Sequence, residues 1–106
     1  MSNSGLKIKD EALREVAFGS ITASYAALGA VLAHDAFIDA FINETNANIY
    51  ISFDGTTNHK KFGAQAGRVT DLKANDCYRI AGTQIYIKHD GTAPTSGWFA
   101  AEVQYT

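Results

Sequence analysis

Cysteine, proline and methionine are scarce in this sequence, with one residue of each among 106. A single cysteine, Cys77, closes no internal disulfide, which excludes the small disulfide-stapled secreted domains. No apolar run reaches the roughly 18 residues that span a bilayer, since His34-Asp35 and Asp39 interrupt the longest stretch. The first residues lack the charged-then-apolar layout of a secretory signal. We therefore expect synthesis in the cytoplasm and no membrane partner.

The sequence also has no large excess of positive or negative charge. Nine Lys and Arg residues against eleven Asp and Glu residues give a net charge of −2. Nucleic-acid-binding domains carry a basic field that attracts phosphates, and this chain has none, so we expect no nucleic-acid partner. Straight-chain helix formers are few as well: Leu, Met, Gln and Glu number 13, whereas Val, Ile, Thr, Phe, Tyr and Trp number 34. This balance favours strands.

Alternating apolar residues and turn signals define the expected architecture. Asn48–Phe53 reads as a strand that ends at Asp54-Gly55, and Thr83–His89 reads as another that ends at Asp90-Gly91. Turn signals recur about every 8–12 residues, which is typical of sandwiches and barrels. Further short strands are predicted between them, at Arg68–Leu72, Cys77–Ile80 and Trp98–Tyr105. We predict an all-β, antiparallel β-sandwich, jelly-roll-like, with seven or eight short strands over residues 11–106 as one domain. Residues 1–10 are predicted to form a flexible arm.

Residues 25–42 allow two interpretations. Leu28 and Leu32, then Ile38 and Ile42, lie four apart, as on one face of an amphipathic helix. However, Gly29 and His34-Asp35 interrupt that pattern, and Asp39 alternates with the neighbouring phenylalanines. Two strands that meet near His34-Asp35 explain the same residues and are preferred. The helix remains the alternative.

Residues that carry chemistry are sparse and scattered. His34, His59 and His89 lie 25 and 30 residues apart, with no second ligand at metal-binding spacing, so no metal site is expected. Cys77 lacks the local signature of a nucleophile, and a dyad of Cys77 with a histidine in a small hydrolase is the weakest alternative. The paired carboxylates Asp10-Glu11 are expected to be solvated. We predict no enzyme activity, no catalytic residue and no cofactor.

Two kinds of surface contact are predicted. An aromatic platform for a sugar ring or a protein is predicted from Tyr50, Tyr86 and Trp98. Assembly contacts are predicted in the arm and at two loop tips, at Leu6, Lys7, Ile8, Lys9, Lys60 and Pro94. An arm that orders on a neighbouring subunit and exposed strand edges are common devices of assembly.

Four segments resemble small virion structural proteins of tailed bacteriophages: residues 18–29, 42–55, 82–88 and 93–97. The likeness extends over about residues 12–106 and consists of strands and turns without a catalytic motif. The alanine-rich composition of residues 23–40 departs from it. The resemblance implies a β-sandwich building block of the virion, present in several copies on the head or at the neck and tail.

Two functions follow as expectations. The first is a non-enzymatic subunit of a tailed-phage particle, either a capsid decoration (cement) protein or a neck or tail component, with decoration preferred. Its partners would be other virion proteins and further copies of itself. The second is a carbohydrate-binding module that uses the exposed aromatic residues.

Overall fold

Two antiparallel sheets form the fold of the computed structural model, which describes residues 8–72 and 78–106. Within these residues there is no α-helix, and a single 3₁₀ turn spans Phe18–Ser20. The strands are β1 Lys9–Asp10, β2 Arg14–Ala17, β3 Ala26–Ala27, β4 Ile38–Asn43, β5 Ile49–Ser52, β6 Lys60–Phe62, β7 Gly67–Asp71, β8 Tyr86–His89 and β9 Trp98–Tyr105.

Sheet 1 has the order β1-β9-β4-β7, with β2 also paired to β9, and sheet 2 has the order β3-β8-β5-β6. β1 and β2 pair with successive parts of β9, so they occupy one edge position. Counted that way, sheet 1 holds the first, eighth, third and sixth strands, and sheet 2 the second, seventh, fourth and fifth. This is the strand order of a jelly roll. The predicted all-β sandwich is confirmed.

The strand interpretation of residues 25–42 is correct in kind, since no helix forms there. The two strands are unequal, however. β3 contains just two residues, whereas β4 runs through six and pairs with both β7 and β9. Between them the chain is irregular, with one isolated bridge from Ala36 to Arg79. The predicted strand at Cys77–Ile80 is reduced to that bridge in the described part, and Cys77 lies outside the described residues.

Apolar side chains from both sheets fill the space between them. Three fully buried phenylalanines, Phe41, Phe62 and Phe99, form its centre, with ring centroids 5.6–6.3 Å apart. Ile49 and Ile51 of β5 and Ile87 of β8 point inward beside them. Because successive side chains of a strand alternate between faces, Tyr50 and Lys88 must point outward.

Loops at one end of the sandwich are fastened by Asn43. Its buried side-chain amide donates to the carbonyls of Ala47 and Gly63, at 2.9 Å each, and its oxygen accepts from Thr45. Gly97 packs against this corner with a positive φ of 89°. A Cβ atom at Gly97 would overlap the carbonyl oxygen of Glu44, so this position requires glycine.

Candidate functional site

The outer face of sheet 2 carries three tyrosines and two lysines, and we call it the tyrosine–lysine face: Tyr25, Tyr50, Lys61, Tyr86 and Lys88. Tyr50 lies opposite Lys61 on one side and Lys88 on the other, so their side chains share the outward surface. The Lys88 ammonium lies 4.7 Å from the Tyr25 ring centroid and 5.7 Å from that of Tyr50. The Lys61 ammonium is also 5.7 Å from the Tyr50 ring. These are cation–π distances.

Two turns border this face and supply its carboxylates. Asp54 accepts hydrogen bonds from the backbone N–H groups of Thr57 and Thr56, which hold the pKa of its carboxyl far below the ordinary value. Asp90 lies 3.9 Å from the Lys61 ammonium. Burial raises the pKa of the Tyr25 hydroxyl, which donates to Asn58 at 2.6 Å. The face itself is therefore aromatic and basic, with acids at its two ends.

The opposite surface, the outer face of sheet 1, is apolar at its centre. Register places Ala100, Ile42 and Gly67 side by side on adjacent strands, and Ala40 next to Val69 in the following row. Val69 is 69% exposed and Trp98, at the start of β9, is 51% exposed. Contiguous exposed apolar surface of this kind marks sites of protein contact.

Carboxylates border the apolar centre of sheet 1. Glu15 lies opposite Ala100, Glu102 opposite Ala40, and Asp10 opposite Gln104, from which it accepts a hydrogen bond at 2.9 Å. Among the outward side chains described in this sheet, there is no lysine or arginine. We call this surface the acidic–apolar face.

A buried carboxylate, Glu11, closes the side of the sandwich between β2 and β3. The Glu11 side chain is 6% exposed and accepts from the Arg14 guanidinium at 2.8 Å and from the backbone N–H of His34 at 2.9 Å. The His34 ring lies 3.1 Å from it and stacks on Tyr105 with centroids 3.7 Å apart. Arg14 also donates to the carbonyls of Ala30 and Val31. The expectation that Asp10-Glu11 is solvated is therefore wrong for Glu11.

The electrostatics of this cluster favour the ionised carboxylate. Burial raises the pKa of Glu11, but hydrogen bonds from Arg14, His34 and the backbone of Ala33 outweigh it, so the pKa lies below the ordinary 4.5. An open cavity of about 530 Å³ lies beside the cluster. The described residues that line this cavity include no serine, threonine or cysteine beside the Glu11–His34 pair. The arrangement fastens loop 28–34 to the edge of sheet 1.

The predicted aromatic platform is divided between the two sheets. Tyr50 and Tyr86 do share the outer face of sheet 2, where Ser52, two residues after Tyr50, lies opposite Tyr86. Trp98 begins β9 in sheet 1 and lies on the other outer surface. Tyr25 completes the platform instead, a residue that sequence reasoning did not select. The lysines between the rings follow from the same strand alternation that places the tyrosines outward.

The predicted assembly residues lie in three different settings. Leu6 and Lys7 lie outside the described residues, whereas Ile8 is exposed and Lys9 pairs with Tyr105 as part of β1. Lys60 is not at a loop tip but opens β6, opposite the inward-facing Ile51. Pro94 does lie in the loop before β9, but it is buried.

The three histidines are well separated in the fold. His34 belongs to the Glu11 cluster, the His59 ring accepts from the backbone N–H of Phe53, and His89 is buried at the end of β8. Within residues 8–72 and 78–106, no group of three or more His, Cys, Asp or Glu side chains is arranged to hold a metal ion. The same residues contain no helix that is long and apolar enough to cross a membrane.

No protein-family model matches this chain, and no curated protein or solved structure matches it.

Proposed function

We propose that the chain is a non-enzymatic structural subunit of a tailed-phage virion, which acts through protein–protein contacts. The acidic–apolar face of sheet 1 carries the proposal, because a small domain that leaves Val69 and Trp98 exposed beside Ile42 gains stability when a partner covers them. The jelly roll supports it by analogy, since viral capsid domains use this fold, although lectins and cupins use it too. The resemblance of residues 18–29 and 42–55 to virion proteins supplies the context.

The first test asks whether the particle contains the chain. Quantitative mass spectrometry of purified particles should find it at a fixed ratio to the major capsid protein. Copies in the hundreds per particle indicate head decoration, whereas about six or twelve copies indicate the neck or tail axis. Of these two positions, we propose head decoration in preference to the neck or tail. Absence from purified particles would contradict the virion role.

The second test asks whether the acidic–apolar face makes the contact. Particles that lack the chain are mixed with wild type, with Val69→Lys, and with Val31→Lys as the matched control on another surface, since Val31 is 47% exposed. We expect Val69→Lys to weaken binding by at least about tenfold, because it places a charge in the apolar centre. Val31→Lys should bind as wild type does. Equal binding of both variants would show that another surface is used.

Carbohydrate binding is the second candidate, and one observation favours it: Tyr25, Tyr50 and Tyr86 lie on one face with two ammonium groups among them. Aromatic rings pack against sugar rings, and the lysines select acidic sugars. A glycan array should then show binding that Tyr50→Ala abolishes and Trp98→Ala retains, because Trp98 lies on the other sheet. Retention by Tyr50→Ala would rule this face out.

A further inference from the structure

The charges on the two outer faces of the sandwich are opposite. On sheet 1 the described outward charged side chains are the carboxylates of Asp10, Glu15 and Glu102. On sheet 2 they are the ammonium groups of Lys61 and Lys88, and the carboxylates there lie at the ends of the face, with Asp90 3.9 Å from the Lys61 ammonium. A net charge of −2 hides this separation, because the acids and bases nearly cancel over the whole chain.

We infer that the acidic–apolar face of one copy binds the tyrosine–lysine face of a second copy. This inference rests on the proposed assembly role, for which it names the partner. This arrangement brings the carboxylates of one face onto the lysines of the other, whereas two acidic–apolar faces would bring carboxylates together, and two tyrosine–lysine faces would bring lysines together. Like charges at an interface disfavour the contact, so charge selects the pairing of unlike faces.

The uncharged parts of the two faces are also complementary in kind. Ile42, Val69 and Trp98 offer apolar surface, and Tyr50 and Tyr86 offer rings that are half-buried in the isolated chain. Interface centres are enriched in tyrosine and tryptophan, while charged residues are depleted there and lie at the rim. Glu15 on β2 lies at the edge of sheet 1, and Lys61 on β6 lies at the edge of sheet 2, which are rim positions.

The outer faces are small compared with a stable protein–protein interface. The smaller face is that of sheet 2, whose four strands are two to four residues long. At about 4.8 Å between strands and about 3.4 Å per residue, this face covers roughly 250 Å². A standard stable interface covers about 800 Å² per partner. One contact is therefore weak, and association becomes appreciable at high protein concentration or where a particle holds many copies together.

The geometry of the contact is head-to-tail. Each copy uses two different faces on opposite sides of the sandwich. A row of bound copies therefore keeps one free acidic–apolar face at one end and one free tyrosine–lysine face at the other. Such heterologous contacts build either a closed ring or an open row, according to the rotation between neighbours. A symmetric dimer of one face would stop at two copies.

Charge exchange tests the inference in solution. One variant carries Glu15→Lys with Glu102→Lys, and the other carries Lys61→Glu with Lys88→Glu. Val31→Lys adds a positive charge at an exposed position in loop 28–34, outside both faces. Sedimentation over a concentration series at low ionic strength should show that wild type and Val31→Lys associate. Each double variant alone should associate at least about tenfold more weakly, because its two faces then carry the same charge.

The mixture of the two double variants is decisive. In an equimolar mixture the acidic–apolar face of one variant has become basic and the tyrosine–lysine face of the other has become acidic, so opposite charges meet again and association should return. Circular dichroism and thermal unfolding check that each variant is folded.

Three results would overturn the inference: a wild type that stays monomeric throughout, a mixture that stays dissociated, or a Lys61→Glu/Lys88→Glu variant that associates as wild type does. None of these touches the proposed virion role, which fails if the chain is absent from particles. A chain that binds particles through Val69 yet never binds itself would instead place another virion protein on this face.

Discussion

Buried charged residues fill the gap between the two sheets at both lateral edges of the sandwich, but the two edges differ. On the side between β2 and β3, Glu11 and Arg14 form an ion pair at 2.8 Å, and the Glu11 oxygens accept hydrogen bonds from loop 28–34 as well. On the side between β6 and β7, Asp39 pairs with Arg79 at 2.9 Å, but its second oxygen has no hydrogen-bond partner among the described residues.

The balance of charge differs too. Lys60 and Arg68 occupy inward positions on β6 and β7, so three cations with Arg79 surround one carboxylate. The Arg79 guanidinium lies 3.9 Å from the Phe53 ring centroid, and that of Arg68 lies 5.0 Å from that of Phe62. Inward-pointing charges on edge strands also protect those edges from pairing with other chains. We therefore expect substitutions in the fully hydrogen-bonded Glu11 cluster to destabilise the fold more than substitutions in the Asp39 cluster, where one carboxylate oxygen has no partner among the described residues.

The largest effect is expected from Arg14→Met. It removes the cation that compensates Glu11 and the donor to two loop carbonyls, so a buried carboxylate remains without its charged partner. We expect a loss of about 3–5 kcal/mol in the free energy of unfolding, measured by urea denaturation. Arg68→Met is the matched control, because Arg68 is exposed, and it should cost less than about 1 kcal/mol. Equal losses for Arg14→Met and Arg68→Met would contradict the role of Arg14 as the charge partner of buried Glu11.

A smaller loss is expected from Arg79→Met on the other side. Asp39 is 2% exposed and loses its hydrogen bond, but Lys60 still lies close enough to favour its charge. We expect a loss of about 1–3 kcal/mol. Addition of Asp39→Asn should recover part of that loss, because the unpaired charge is gone. A double variant whose loss equals the sum of the two single losses would show that the pair is not coupled.

Acidification tests the Glu11 cluster without a change of size. Because the folded pKa of Glu11 lies below 4.5, its stabilising contribution is complete above the unfolded pKa and is lost as the pH falls through the folded pKa. Unfolding free energies from about pH 6 to about pH 3 should therefore fall less steeply for Glu11→Gln than for wild type. Glu15→Gln, an exposed glutamate nearby, should retain the wild-type slope. Parallel curves for wild type and Glu11→Gln would contradict the assignment.

The smallest effect is expected from Lys60→Met. Burial lowers the pKa of the Lys60 ammonium and exceeds the opposing attraction of Asp39, with Arg68 and Arg79 adding to the decrease. The folded state therefore holds this proton less firmly than the unfolded state does, and the charge opposes folding at neutral pH. The substitution should leave stability unchanged or raise it by about 1 kcal/mol. Lys61→Met, on the outer face, serves as control, and a large loss at Lys60 alone would refute the prediction.

The alternation of apolar and polar residues predicted those strands whose inward side chains are apolar. Trp98–Tyr105 matches its predicted bounds, and β5 and β8 have inward isoleucines as their sequences indicate. The pattern misleads at β2, where Leu13 is exposed and Arg14 faces inward. The partners of Arg14 are Glu11 and two carbonyls of loop 28–34, and no local pattern reports such distant contacts.

The candidate surfaces were predictable in part for a similar reason. Alternation alone places Tyr50 and Tyr86 outward on their strands. That Trp98 lies on the opposite surface depends on which sheet contains β9, and this is a property of the topology. Most connections between successive described strands cross from one sheet to the other. The exceptions are β1 to β2, which share one edge of sheet 1, and β5 to β6 in sheet 2. Local turn signals such as Asp54-Gly55 do not carry that information.

The position of β9 in sheet 1 also has a kinetic consequence. β9 is the last strand in the chain, yet it pairs with β1, β2 and β4, and β4 otherwise contacts just β7 within the sheet. On the ribosome, sheet 1 therefore stays incomplete until Trp98–Tyr105 has been synthesised, and its earlier strands wait with apolar residues uncovered. Folding should be slow for a domain of this size, because the partners that close the sheet are separated by most of the chain.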